Sequence, residues 1–328
     1  MRYPTAVDAF FLSRAPRKDS PHTTAAYHRD LAVISAAAAR DLGLSPAELD
    51  CAALSPVVLR RAFAEYAATR AKSSIARAWS TWNTFFAFCV GDGIVDGNPM
   101  SGVARPKVPD RSPKPLRGED AAERLLAAIA AGARKARNPW PERDLAVVAT
   151  LLLTGLRTAE LLALSYGDLA GATGEQRLVV RGGKGDADRV VPVDVPLELV
   201  LGEYLDTRRG RLPGERDPLP RRSPLWVSHT GEALSRNQLQ YLVRESYRCA
   251  GIDDRVERGA LVHALRHTFA TRLGQSGASA TEIMELLGHR SLAASQGYIK
   301  ATARELREAA RANPTYGFVG RLVRREPG

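Results

Sequence analysis

At 328 residues the chain exceeds the roughly 100 to 150 residues of a typical single domain, so two domains are expected. Apolar residues make up 45% of it and charged residues 25%, the balance of a folded, soluble chain, which excludes a disordered one. Forty-seven Lys and Arg against 36 Asp and Glu give a net charge of +11 and a pI near 9.9, which points to an anionic partner, nucleic acid before any other. Only seven of the cations are lysines, and arginine is the better fork for phosphate oxygens. Cys51, Cys89 and Cys249 are odd in number and widely spaced, so they suggest small core residues and neither a disulfide framework nor a zinc site. The start, MRYPTAVDAFFLSRAP, carries Asp8 and a short apolar run, unlike a signal peptide. The longest apolar run, Leu145 to Leu156, is well short of the roughly 20 residues of a membrane span, so a cytoplasmic protein is expected.

Residues 1 to 104 read as almost wholly helical. Ser20-Pro21 and Ser55-Pro56 each place a capping hydroxyl before a proline suited to the first helical position. Four helices are expected: Ala6 to Ser13, His22 to Leu42 with Gly43 as its stop, Pro56 to Thr69, and Ser73 to Val90. The fourth spaces Ile75, Trp79, Trp82, Phe85, Phe86 and Phe88 at helical intervals, the pattern of a packed core. Its other face carries Lys72 and Arg77, which could meet DNA phosphates or equally be solvated. Residues 105 to 117 form a proline-rich linker. Its five basic residues, Arg105 and Lys107 among them, against one acid would suit a strap across a duplex backbone, although a solvated linker has the same composition.

Residues 118 to 328 read as a second, mixed domain. Gly118 to Ala131 and Glu142 to Leu153 have helical periodicity, and the second is apolar enough to lie deep in a core. Thr154-Gly-Leu-Arg157-Thr-Ala-Glu160 follows, where an arginine behind a buried helix would ordinarily pair with the nearby acid. Gln176 to Val193 alternates apolar and polar residues around a glycine-rich turn, which predicts a hairpin with Lys184 at its tip. The nucleotide-binding G-x-x-x-x-G-K-[ST] pattern is not matched there, and the plain reading is an exposed turn lysine. Further on come a helix over Pro196 to Arg208, a Pro- and Arg-rich loop from Arg211 to Pro224 expected to be mobile, a short strand at Leu225-Trp-Val-Ser, and an amphipathic helix from Ser235 to Cys249.

The stretch from Leu261 to Lys300 holds three of the six histidines, His263, His267 and His289, and then Tyr298. On a helix, His263 and Arg266 fall on one face, an imidazole beside a guanidinium, which is a ready anion clamp. A zinc pair at His263 and His267 lacks the H-E-x-x-H glutamate, replaced by Ala264, and lacks a nearby third ligand. Thr281 to Leu287 reads as a short helix closed by Gly288, and Ala303 to Ala312 as a charged amphipathic one.

Taken together, GLRTAE, the hairpin lysine, HALRHTFAT and LLGHRSLAASQGYIK resemble the tyrosine recombinases, the phage-integrase and Xer family, over roughly residues 20 to 310. The resemblance implies a mainly α fold with a small antiparallel β-sheet: a helical, SAM-like core-binding domain over 1–104 and a mixed α/β catalytic domain over 118–328. It also implies a site made of Arg157, Lys184, His263, Arg266, His289 and Tyr298, with Glu160 holding the first arginine. Double-stranded DNA is the implied substrate, and a homotetramer on synapsed DNA, docked through the 303–312 helix, the implied assembly.

Those residue types divide the work of phosphodiester transfer among themselves. Two guanidiniums would neutralise the non-bridging oxygens and a phenol would attack phosphorus, while the resemblance implies that the hairpin lysine protonates the departing 5′-oxygen. One histidine accepts the phenolic proton and the other bonds the phosphate, so no metal or other cofactor is expected. A type IB topoisomerase would use the same chemistry, and a regulator with a decayed site would use only the binding; the compact helical first domain and the complete set of groups favour a site-specific recombinase. Only about 20 residues precede the core-binding helices, so a simple recombinase is expected, Xer-like or from a small mobile element. Gly297 beside Tyr298 departs from a firm helix.

Overall fold

Four helices build the first of the two units into which the chain divides, Met1–Arg111 and Ser112–Gly328. The computed structural model describes residues 1–107, 114–182, 188–257 and 259–288. The helices are α1 (Tyr3–Arg14), α2 (Pro21–Asp41), α3 (Pro56–Ala67) and α4 (Lys72–Gly91). The Ser20 hydroxyl accepts the Thr23 backbone N–H at 3.1 Å and Ser55 accepts that of Val58 at 3.4 Å, so both anticipated caps form. The aromatic stripe of α4 is core: Trp82, Phe85 and Phe86 are fully buried, and Tyr3 stacks on Trp82 with centroids 5.8 Å apart. α1 runs longer than the sequence suggests, because Pro4 is acceptable in its first turn and Tyr3 joins that core.

One buried acid ties this unit together. Asp30 on α2 is 2% exposed and receives Nε and Nη2 of Arg77 at 2.9 and 2.8 Å and the Thr81 hydroxyl at 3.2 Å. The Trp82 indole N–H donates to the Asp30 carbonyl at 3.0 Å. Arg77 thus fastens α4 to α2, while Lys72 stands exposed at the first position of α4. Trp79 donates to the Val103 carbonyl at 2.8 Å and carries the Arg105 guanidinium 5.6 Å above its ring, which lays the start of the basic stretch on α4; Lys107 is exposed.

In the second unit, α5 (Ala121–Ala130), α8 (Val195–Arg211) and α10 (Leu261–Gln275) surround α6 (Pro141–Thr154), whose residues from Ala146 to Leu152 are all buried. α7 (Thr158–Ala163), α9 (Arg236–Cys249) and α11 (Ala280–Leu287) complete the described helices. The anticipated hairpin is β2 (Arg177–Val180) against β3 (Arg189–Pro192), antiparallel with Val180 opposite Arg189. A third strand, β1 (Leu169–Ala170), pairs with β2; two residues are too few to show alternation in sequence. The described architecture is therefore mainly helical with a small antiparallel sheet in the order β1-β2-β3.

Three expectations are corrected. Leu225 to Ser228 forms no strand and makes one isolated bridge, Val227 to Ala233, beside a second from Ser165 to Pro224 just before it. The 211–224 loop is fastened: the buried Arg208 forks onto Glu215 with both bonds at 2.7 Å, and the backbone N–H of Gly167 donates to the Arg221 carbonyl at 2.8 Å. Cys249 is exposed, unlike Cys51 and Cys89, because it ends α9 on the face turned from the core. Among the described residues no helix is long and apolar enough to cross a membrane.

Replacing Asp30 with alanine should lower stability by about 2 kcal/mol, since charge-assisted bonds in a buried place are lost and the Thr81 hydroxyl is orphaned. Urea unfolding of the full chain checks this, and a midpoint like the wild type's would refute the tie between α2 and α4.

Candidate active site

The site begins where α6 ends. Gly155 takes the left-handed conformation that closes the helix, with φ 62°, and a Cβ there would run into the Phe269 ring. The chain turns sharply and Arg157 becomes the N-cap of α7. Glu160, at the third position of α7, accepts the Arg157 backbone N–H at 2.7 Å and Arg157 Nη1 at 2.8 Å, so one carboxylate holds both the cap and its side chain.

A third group shares that carboxylate. Arg189, at the start of β3, donates Nη1 and Nη2 to the two Glu160 oxygens at 2.9 and 2.8 Å, and Arg266 Nη1 lies 4.0 Å from Oε2. Burial by itself would raise the Glu160 pKa; the Arg189 fork, the Arg157 N–H and the two guanidinium charges outweigh it and bring it down to about 2.

The same three arginines meet again at the end of α11. Arg189 Nε donates to the Leu286 carbonyl at 3.0 Å, Arg266 Nη2 to Leu287 at 2.8 Å, and Arg157 Nη2 to Gly288 at 3.0 Å. A helix leaves its last carbonyls unpaired and bears partial negative charge there, which is what guanidiniums answer. Arg266 also donates to the Gly155 carbonyl at 2.5 Å, linking the ends of α6 and α11. α11 is pressed onto α10 by Phe269, Ala270, Ile283 and Leu287.

Arg157, Glu160 and Arg266, read separately from two motifs, are thus brought together. Arg266 is buried at 5% exposure, whereas the Arg157 side chain keeps 34% and faces outward. His263 keeps an exposed edge; partial burial first, then the charges of Arg266, Arg236 and Arg157, lower its pKa. His267 is pushed down to about 4 by burial and then by His263, Arg266 and Lys114. Burial and the neighbouring charges thus favour the neutral form of both imidazoles. Their rings are 6.4 Å apart, and among the described residues no group of three metal-ligating side chains forms.

Lys184, His289 and Tyr298 lie outside the described residues, as does the 303–312 segment. The base of the hairpin is described. Gly182 N–H donates to Asp188 Oδ1 at 2.8 Å, and Arg181 donates Nε and Nη2 to Asp168 Oδ1 at 3.1 and 2.8 Å. Lys72, Arg77, Arg105 and Lys107 belong to the other unit, and Arg77 there is bound to Asp30. Arg189 is the residue the sequence reading missed. Its signal was phase: along β3 it falls in step with the buried Val191 and Val193 and out of step with the exposed Val190. A charge on the inward face of a strand needs a partner.

Among the described residues three guanidiniums stand around one carboxylate, so positive charge outnumbers negative there, and Arg157 is the most exposed of the three. The arrangement is suited to an oxyanion carrying at least one negative charge, held by forked bonds in a partly dry setting.

A Glu160→Gln substitution should cost about 3 kcal/mol at pH 7, because buried guanidiniums lose their counter-charge. Since the folded-state pKa is depressed, the stabilisation is present above the usual 4.5 and lost as pH falls towards about 2. Denaturant midpoints of wild type and variant should therefore converge between those values, and a constant gap down to pH 2 would contradict this assignment.

The phage integrase family pattern matches residues 118–305, and that of the phage integrase N-terminal SAM-like domain matches residues 9–93. The tyrosine recombinase XerC of Pelotomaculum thermopropionicum is 30% identical over 308 residues, covering 91% of this chain and 94% of its own length. A tyrosine recombinase XerC of a Methylobacterium species is 36% identical over 298 residues, 89% of this chain and 87% of that one. Among solved structures, the XerH site-specific recombinase bound to its difH substrate before cleavage superposes with a TM-score of 0.66 at 22% identity, over 88% of this chain and 78% of that chain, which shows a shared fold. Matched in both its parts and along nearly all its length, the chain belongs to the phage integrase family of tyrosine recombinases.

Proposed function

We propose that this site-specific recombinase cuts and rejoins duplex DNA through a 3′-phosphotyrosyl link, with Arg157 and Arg266 as the clamp on the scissile phosphate. The observation that carries the reading is the convergence of these two arginines, from motifs far apart in sequence, on Glu160 and on successive carbonyls of Leu287 and Gly288. Each guanidinium has five N–H donors, and bonds to fixed carbonyls set its plane before any phosphate arrives. Glu160 holds Arg157 at the angle its backbone cap dictates.

In the proposed step the Tyr298 oxygen bonds to phosphorus while the bond from phosphorus to the 5′-oxygen breaks. His263 takes the phenolic proton, Lys184 supplies one to the departing 5′-oxygen, and His289 bonds the phosphate. The lowered pKa of His263 favours the neutral imidazole, the form in which a general base must stand before the proton moves. Rejoining is the reverse with a second DNA end, so neither metal nor nucleotide is consumed. A free 5′-hydroxyl is the only co-reactant required.

The helical unit, residues 1–104, is assigned to gripping the duplex, with Lys72, Arg77, Arg105 and Lys107 as phosphate contacts, residues 105–117 to the strap, and residues 118–328 to catalysis. The assembly we favour is a tetramer on synapsed DNA in the cytoplasm, joined through the 303–312 helix. An apolar groove of about 800 Å³ lined by Leu153, Val190, Phe269, Leu273 and Leu286, with Leu153 and Val190 exposed, supports a docked helix of that amphipathic kind. A Xer-like role fits the similarity to XerC proteins along nearly the whole chain.

On a nicked duplex that traps the covalent adduct, Tyr298→Phe should give none, and Arg157→Ala or Arg266→Ala should slow adduct formation roughly 100-fold or more while retaining duplex binding. Adduct formation by Tyr298→Phe at the wild-type rate would end the proposal, and relaxation of plasmids without a specific site would favour the topoisomerase reading. The acid limb of the cleavage rate should lie below the ordinary histidine value of about 6.5 and disappear in His263→Ala. An acid limb left in place by that variant would remove His263 as the proton acceptor.

A further inference from the structure

Arg189 belongs to none of the motifs from which the catalytic set was read, yet its guanidinium is bound inside the same cluster as Arg157, Glu160 and Arg266. One guanidinium spends three donors in a plane: Nη1 and Nη2 on the two Glu160 oxygens, at 2.9 and 2.8 Å, and Nε on the Leu286 carbonyl, at 3.0 Å. Its side chain is 10% exposed, so these bonds face little competition from water. They join the hairpin, the Arg157–Glu160 turn and the end of α11, segments that share no local sequence.

The stereochemistry around Arg189 is built to admit it. Gly288 has φ 63°, and a Cβ there would stand 2.8 Å from Arg189 Nη1. A side chain at 288 would therefore displace the guanidinium as well as strain the backbone. Lysine, with a single point charge, could not make the three coplanar bonds.

We propose that Arg189 is a positioning residue for the cleavage step: by sharing Glu160 and holding the end of α11, it sets the angle at which Arg157 meets the scissile phosphate. This rests on Arg157 being a phosphate clamp, as proposed above. Each Glu160 oxygen now accepts twice, Oε1 from both guanidiniums and Oε2 from Arg189 and the Arg157 N–H. Without Arg189 the side chain hydrogen-bonded directly to the carboxylate would be that of Arg157, with Arg266 standing off at 4.0 Å, and Arg157 and Glu160 would close into a forked pair that competes with the phosphate for the same donors. A misplacement of about 1 Å at a clamp is enough to cost roughly 100-fold in rate.

The test compares adduct formation by wild type, Arg189→Met and Arg189→Lys on two trapping duplexes, one ordinary and one carrying a methylphosphonate at the scissile position. The methyl group replaces a charged non-bridging oxygen and so removes much of the demand on the arginine clamp. On the ordinary duplex Arg189→Met should be slower by roughly 100-fold and Arg189→Lys by about 10-fold, with duplex affinity within about threefold of wild type. On the methylphosphonate most of that difference should vanish, which a general loosening of the fold would not produce. Equal defects on both duplexes, or a wild-type rate in either variant, overturn the proposal. If Arg189→Met does not fold, as judged by thermal melting, Arg189→Lys carries the same comparison. Failure of the wild type itself to form an adduct on any cognate duplex would remove the recombinase reading first, and this one with it.

Discussion

The end of helix α11 is where three separate segments of the second unit are tied together. The carbonyls of Leu286 and Leu287 at the end of α11, and of Gly288, its C-cap, each take a guanidinium from a different segment: Arg189 from the hairpin, Arg266 from α10, and Arg157 from the turn after α6. Such bonds contribute about 1.5 to 3 kcal/mol apiece at best, against the rotamer entropy of three long side chains. Their larger effect is geometric. They assign each arginine a place before substrate is present, so the ordering cost is borne by folding and not by the transition state.

Glu160 makes that crowding tolerable. Three like charges gathered beside one helix end would repel one another in a partly dry setting, and a single carboxylate held ionised by them, with its pKa brought down to about 2, offsets part of that repulsion. The remainder is the surplus positive charge that recommends the site for a phosphodiester. Of the three guanidiniums Arg157 is the most exposed, which is where the proposed scissile phosphate would meet this charge.

The helical unit uses an acid in a related way for a different end. Asp30, buried on α2, takes the fork of Arg77, the hydroxyl of Thr81 and, through its carbonyl, the indole of Trp82, so that α4 is fixed in rotation about its own axis. That rotation decides which side of α4 presents Lys72 and lays Arg105 over Trp79. A polar contact inside an aromatic core here specifies orientation more than it adds stability.

Much was legible in the sequence because periodicity and punctuation report burial and chain reversal directly. The spacing of Trp82, Phe85 and Phe86, the Ser-Pro starts, the alternation around residues 176 to 193 and the glycine stops at 43 and 288 located most elements to within a few residues. Arg157, Glu160 and Arg266 could be picked out because short motifs preserve local spacing. What periodicity does not encode is which buried face meets which. Backbone carbonyls have no side-chain signature, so the convergence of three arginines on Leu286, Leu287 and Gly288 left no trace in the residue types there. Arg189 showed itself only as a charge out of phase. Sequence by itself determined two sets of elements and the residue types of the proposed site; tertiary structure alone brought Arg189 to Glu160 and Leu286, because packing α11 on α10 sets the end of that helix where guanidiniums from three separate segments reach it.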